Sequence, residues 1–296
     1  MDYTIIMPHR PLSPGHLSTG EGPLNQLPDG QWQEGNKDPV PEYYYREDIY
    51  RALNFLRKNS THKYRVLVAM DSDVYPQDWW LKEYEEVSIF KASYQPRGNE
   101  YPLPYHRLAA SYKESIDSLP DEEWICYAWT SDLIPSKKFD KYIVEAISQY
   151  GDGYVYVPMF VETRSGGGQP PYQSIWDMQA TPELIWGEWR KYLCCHALTM
   201  AEPSSRVITE EDFDKYIEIA NEANLANIVE PCGQREYGYY ACMVMKAKYA
   251  KEAGFKLGFG FDLEFDNALG AMGLQKVVVT KSFVLHPWVN FKWSKK

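Results

Sequence analysis

The sequence lacks several things, and each lack removes a class of function. No apolar run approaches the roughly 18 residues that a membrane-spanning helix needs, so the chain reads as a soluble protein. No CxxC spacing occurs among its five cysteines, Cys126, Cys194, Cys195, Cys232 and Cys242. That odd, scattered set reads as reduced thiols in a cytoplasm, with no structural zinc site. Positive charge is in deficit: 31 Lys and Arg stand against 41 Asp and Glu, a formal net charge of -10. Such a chain is poorly suited to holding nucleic acid by neutralising phosphates. The first residues also lack the basic and apolar regions of a signal peptide. They read as a strand that starts at once and ends at Pro8. A cytoplasmic protein of bacterial, phage or viral origin is the expectation.

What is present is aromatic and alternating. The chain has 24 Tyr and 10 Trp, and aromatics reach 15%. Such side chains pair a flat apolar face with a polar tip and suit stacking on sugars or bases. Apolar runs at Thr4–Met7, Tyr64–Met70, Val87–Ala92, Trp124–Trp129 and Gly153–Pro158 read as strands. Amphipathic stretches at Glu47–Asn59, Pro104–Leu119 and Phe139–Tyr150 read as helices between them. The alternation predicts an α/β fold, Rossmann-like, with a mostly parallel central sheet flanked by helices. Residues 11–42, rich in Pro, Gly, Asn and Gln, read as a long loop serving as a lid or flap. Ser165–Gly168 reads as a flexible hinge or loop, and Glu210–Asn224 and Tyr239–Ala253 as further helices. The Phe-Asp-Lys-Tyr-Ile string at 139 and again at 213 is too short to be a repeat.

Ligands of such sheets sit at the carboxyl ends of the strands. Three polar segments fall there: Pro8-His9-Arg10, Asp71-Ser72-Asp73 and Thr130-Ser131-Asp132. They are predicted to converge on one edge. Near the other end of the chain, Gly260-Phe261-Asp262-Leu263-Glu264-Phe265-Asp266 opens a predicted helix that runs to Gly273. The strand Val277–Thr280 follows, then Phe283-Val284-Leu285-His286.

This order of strand ends, acidic helix start and late histidine resembles the GT-A glycosyltransferases, especially the large family 2 type. The resemblance implies a single GT-A domain. Residues 1–160 would form its nucleotide-sugar-binding half and residues 161–296 its acceptor-binding and catalytic half. By the same resemblance Asp262 falls where the family keeps the carboxylate that activates the acceptor, with Phe261 in place of the usual first acidic residue. Glu264 matches a further acidic position of that catalytic pattern. His286 matches a histidine that supports the metal or the diphosphate. The family's Asp-x-Asp metal motif follows the fourth strand, where this chain has Thr130-Ser131-Asp132. Asp132 and His286 are therefore assigned to a divalent metal, Mn or Mg. Pro8, Arg10, Asp71, Asp73 and Ser131 are assigned to the nucleotide sugar.

The residue types fit that chemistry. A cation held by a carboxylate oxygen and an imidazole nitrogen offsets the charge that develops on a departing diphosphate. A carboxylate takes the proton of the attacking hydroxyl, and at a helix start the macrodipole keeps it ionised. Helical spacing sets Asp262 and Asp266 on one side and Glu264 on another, so all three cannot serve one centre. A single base opposite the leaving group predicts inversion. Trp176, Trp186 and Trp189 are candidates for stacking on a sugar acceptor, and Arg235 for holding a phosphate.

Three readings stay open at this stage. The first is transfer of a sugar from a nucleoside-diphosphate donor to a hydroxyl acceptor on a saccharide, lipid or protein. The second moves the same chemistry to hydroxymethylated bases in phage-type DNA. The third is a nucleotidyltransferase or a non-catalytic nucleotide-binding domain.

Overall fold

The computed structural model describes residues 1–9, 52–70, 84–91, 104–127, 134–165, 199–202, 226–233, 242–255 and 261–287. Ten strands among them form one sheet: β1 (Tyr3–His9), β2 (Tyr64–Met70), β3 (Val87–Lys91), β4 (Trp124–Tyr127), β5 (Ile134–Pro135), β6 (Tyr154–Ser165), β7 (Thr199–Glu202), β8 (Ile228–Pro231), β9 (Met243–Lys246) and β10 (Gln275–Pro287). Their order is β3-β2-β1-β4-β9-β6-β10-β5, with β7 on β6 and β8 on β10. The pairings make β1, β2, β3, β4, β6, β7 and β10 run one way and β5, β8 and β9 the other. The predicted mostly parallel α/β sheet is what the chain forms. β6 runs through residue 160, so both halves of the chain share that sheet.

Strand residues alternate between two cores, as the period of two demands. Ile5, Cys126, Tyr156, Val244, Val277 and Val279 face one side, where helical residues 52–59 (α1) and α3 (Phe139–Tyr150) supply Leu53, Leu56, Phe139 and Ile143. Ile6, Ile125, Tyr127, Val155, Val157, Met243 and Met245 face the other side. There α2 (Pro104–Asp117), α4 (Ala247–Ala253) and α5 (Phe261–Ala271) supply Ala109, Tyr112, Ala250, Phe265 and Leu269. The result is three layers, helices on both faces of a sheet.

Some expectations need correction. β1 does not stop at Pro8 but continues through it to His9, paired with Met70. Its β4 side is paired only at Thr4 and Ile5, so the missing N–H of Pro8 interrupts no ladder there. Among its described residues, the predicted helix Tyr239–Ala253 is a helix from Ala247; Met243–Lys246 is strand β9, slotted antiparallel between β4 and β6. Met, Ala and Lys favour a helix locally, but Met243 and Met245 fill one core and Val244 the other, and that burial overrides propensity. The two strands expected after Gly273 are one, β10, with a register shift between Val279 and Phe283.

At the edge where the parallel strands begin, the Asp140 carboxylate closes the structure. It is buried in the first turn of α3. It accepts hydrogen bonds from Thr61 N at 2.9 Å, Thr61 Oγ1 at 2.9 Å, His62 N at 2.8 Å and Tyr3 Oη at 3.4 Å. α3 is thereby tied to the entry of β2 and the start of β1. Asp140→Ala strands two backbone donors and is expected to lower stability by about 2–4 kcal/mol; urea unfolding of the variant measures this.

Candidate functional site

The first turn of α5 carries Asp262, and the packing of α5 decides where that turn lies. α5 reaches β10 through residues 272–274, so its last turn lies where β10 begins. Its first turn therefore lies toward the edge where the parallel strands end. Phe265, one turn after Asp262, confirms the placement. Its ring is 4.8 Å from that of Tyr127, the last residue of β4, and stacks on Phe255 at 4.3 Å. Tyr112 touches the same Tyr127 ring at 4.8 Å. An apolar aromatic cluster thus anchors the head of α5 to the end of β4.

The middle of α5 is held by charge. Lys276, fully buried on β10, places Nζ 3.2 Å from Asp266 Oδ2 on α5 and 3.4 Å from Glu230 Oε1 on β8. Lys276 and Glu230 are direct partners in the antiparallel β8–β10 register. Two carboxylates meet one ammonium, and Asp266 Oδ1 makes no hydrogen bond among the described residues. Removing one member of such a buried set costs about 3–5 kcal/mol, because the other charges are then stranded.

The foot of α5 is held by backbone contact. A Cβ at Gly270 would lie 2.2 Å from the carbonyl oxygen of Cys232, so only glycine lets the helix approach β8 this closely. Cys232 N donates to Leu274 O at 3.0 Å across the same contact. Burial, aided by the Asp266 carboxylate, pushes the Cys232 thiol up to about 12. Cys126 and Cys242 are buried with sulfurs 3.7 Å apart, and burial raises the Cys242 thiol as well. These three cysteines are core groups, not nucleophiles.

The other side of the site follows from strand register. Ile134, two residues after Asp132, pairs with Leu285, the residue before His286. His286 itself pairs with Glu162 on β6. Tyr127 thus touches α5 one turn from Asp262, and Ile134 lies in the ladder beside the residue before His286.

The predicted residues fall into two groups. Pro8 is buried in β1 beside Ala69, at the end where β1 and β2 both finish. Asp262 and His286 have their backbone placed as described. Glu264 is exposed on α5. It lies roughly 200° around the helix from Asp262, so the two do not share one centre. Asp266, expected on the side of Asp262, is consumed by Lys276. Arg10, Asp71, Asp73, Ser131, Asp132, Trp176, Trp186, Trp189 and Arg235 lie outside the described residues. So do the loop 11–42, residues 166–168 of the hinge and the helix 210–224; Ser165, the first residue of that hinge, is instead the last of β6. Among the described residues no group of three or more His, Cys, Asp or Glu could hold a metal ion. No helix among them is long and apolar enough to cross a membrane. Lys276 was missed by sequence reasoning; the signal was a lysine at an inward position beside the Val277–Val279 run.

Gly270→Ala isolates the close approach at the foot of α5. Alanine gains about 1 kcal/mol of helix propensity, yet the clash with a backbone carbonyl outweighs it. The variant is expected to be less stable by about 1–3 kcal/mol in urea unfolding. An unchanged or raised midpoint would show that α5 does not touch Cys232.

No family model matches the chain, and no curated protein matches it. Among solved structures, GalNAc-T7 with UDP, GalNAc and Mn2+ gives a TM-score of 0.48 at 11% identity, over 97% of this chain and 44% of that one. The chain thus spans less than half the length of that protein. UTP-bound UGPase from Acinetobacter baumannii gives a TM-score of 0.39 at 8% identity, over 99% of this chain and 90% of that one. The fold described above rests on this chain's own strand order and register.

Proposed function

We propose that the chain is a glycosyltransferase of GT-A arrangement that moves a sugar from a nucleoside-diphosphate donor to a hydroxyl acceptor. The observation that supports it most is that the two residues flanking the segment of Asp132 lie near the other proposed groups: Tyr127 touches Phe265, one turn from Asp262, and Ile134 pairs with Leu285, the residue before His286. Sugar transfer needs a cation site and a base close together, and this flanking geometry supports that reading. Residues 1–160 hold the nucleotide sugar, with Pro8, Arg10, Asp71, Asp73 and Ser131 at the strand ends. Residues 161–296 carry the base and the acceptor side, with Trp176, Trp186, Trp189 and Arg235 facing the acceptor.

A carboxylate and an imidazole suit a divalent cation, and Ile134, two residues after Asp132, pairs with Leu285, the residue before His286. Asp132 and His286 would hold it, and bound there it would neutralise the diphosphate. Asp262 accepts the proton of the acceptor hydroxyl. The acceptor oxygen bonds to the anomeric carbon as the bond to the diphosphate breaks, and the electron pair leaves with the nucleoside diphosphate. Attack opposite the leaving group inverts the anomeric centre. The positive end of α5 favours the ionised carboxylate that this role requires.

A thermal-shift panel of nucleoside diphosphates with and without Mn2+ tests the reading. Specific binding stabilises by mass action, about 2.7 kcal/mol at a hundredfold excess over Kd, so one nucleotide with Mn2+ should raise Tm most. Asp262→Asn should keep that shift and lower turnover about 10²–10⁴-fold. The released product should be a nucleoside diphosphate. Free pyrophosphate would indicate nucleotidyl transfer instead, and the absence of any metal-dependent shift would sink the proposal.

A further inference from the structure

We infer that Lys276 is a positioning residue for the transfer step, fixing the helix that carries Asp262. This rests on the reading given above. The buried lysine sits where valines would otherwise continue, in the sequence Lys276-Val277-Val278-Val279, all of it inaccessible to solvent. For stability alone an apolar side chain would serve as well or better at such a place. What a charge adds is discrimination between registers. Glu230 opposes Lys276 directly across the β8–β10 ladder, and a slip of one residue in β8 would carry Glu230 to the other face. Asp266 reaches Lys276 from α5 at 3.2 Å, and a slip of one turn would move it by roughly 5.4 Å. Only one combination of helix height and strand register satisfies both carboxylates.

Both registers bear on the site. Asp262 stands one turn before Asp266 on α5. After Glu230 the chain passes Cys232 and turns at Gly233, with φ of 82°, against Asn267 of α5. Arg235 follows two residues later. The same ammonium therefore sets the height of the helix that carries the base and the register of the β8 end that packs against it. β1 and β2, whose ends are assigned to the nucleotide, are not neighbours of β8 or β10 in the sheet order, and His286 lies ten residues further along β10 than Lys276. Loss of Lys276 should then damage the chemical step and spare nucleotide binding.

The experiment compares Lys276→Met, Lys276→Arg and Ile143→Ala. Ile143 lies in the core on the opposite face of the sheet and controls for loss of stability. The readouts are Kd for the nucleoside diphosphate with Mn2+, kcat and KM for sugar-nucleotide hydrolysis, and hydrogen exchange over residues 261–271. Lys276→Met is expected to keep Kd within about threefold, to lose at least about tenfold in kcat and to exchange faster across α5. Lys276→Arg should recover part of kcat, and Ile143→Ala should keep it. If Lys276→Met does not fold, Glu230→Gln, which retains the Asp266 pair, should show the same split of kcat from Kd. A loss of kcat no greater than in Ile143→Ala, a parallel loss of Kd and kcat, or an unaffected Glu230→Gln would overturn the positioning role. A wild type with metal-dependent nucleotide binding but no turnover in any variant would instead overturn the transfer reading, and the role of Lys276 falls with it.

Discussion

The buried ammonium of Lys276 between Asp266 and Glu230 is the interaction on which the placement of α5 depends. Charges inside a protein are held only by partners, and partners at fixed distances impose geometry. Here three elements from separate parts of the chain converge on one nitrogen. Once α5 is set against β10 and β8 at that point, the rest of its placement follows. Gly270 allows contact with the Cys232 carbonyl at the foot, and Phe265 meets Tyr127 at the head. A helix held at foot, middle and head has little freedom left in height or rotation, and its first turn is set accordingly.

The sheet supplies the complementary constraint. Seven strands run one way, so β1, β2 and β4 end on a common edge. β5, only two residues long, has a role out of proportion to its size. By pairing Ile134 and Pro135 with Leu285 and Val284, it ties the chain leaving β4 to the far end of β10. Asn59 Nδ2 donates to the Pro135 carbonyl at 2.7 Å, which fixes this small strand from the α1 side. The site is thus framed by two cores on opposite faces of one sheet, and neither half of the chain could build it alone.

Much of the fold was legible in the sequence where pattern and punctuation agree. β2 and α3 were read to the residue, Tyr64–Met70 and Phe139–Tyr150. In α3 the 3.6-residue period of Phe139, Ile143 and Ala146 is closed by Gly151, whose φ of 94° suits glycine. β9 was misread because its residues favour a helix in isolation, and only the vacant slot between β4 and β6 makes it a strand. β10 was divided because Thr280-Lys281-Ser282 breaks the apolar run at the place where its register against β6 shifts. The helix start at Asp262 was legible, and α5 begins at Phe261. Asp266 was read only as lying on the side of Asp262, and its partner, a buried lysine on the next strand, was not foreseen. Asp140 went unnoticed for the same reason: its partners, Thr61, His62 and Tyr3, are distant in sequence. Periodicity reports on neighbours along the chain and is blind to such pairs.

The central claim is that the chain near Asp132 and the histidine at the end of β10 form one cation site facing the head of α5. Crystals grown with MnCl2 and the nucleoside diphosphate that gives the largest thermal shift, measured at the manganese absorption edge, test it most directly. The account predicts one strong anomalous peak within coordination distance of Asp132 and His286, with the Asp262 carboxylate across the sugar site from the diphosphate. A peak held elsewhere, or bound nucleotide with no manganese between these two residues, would contradict it.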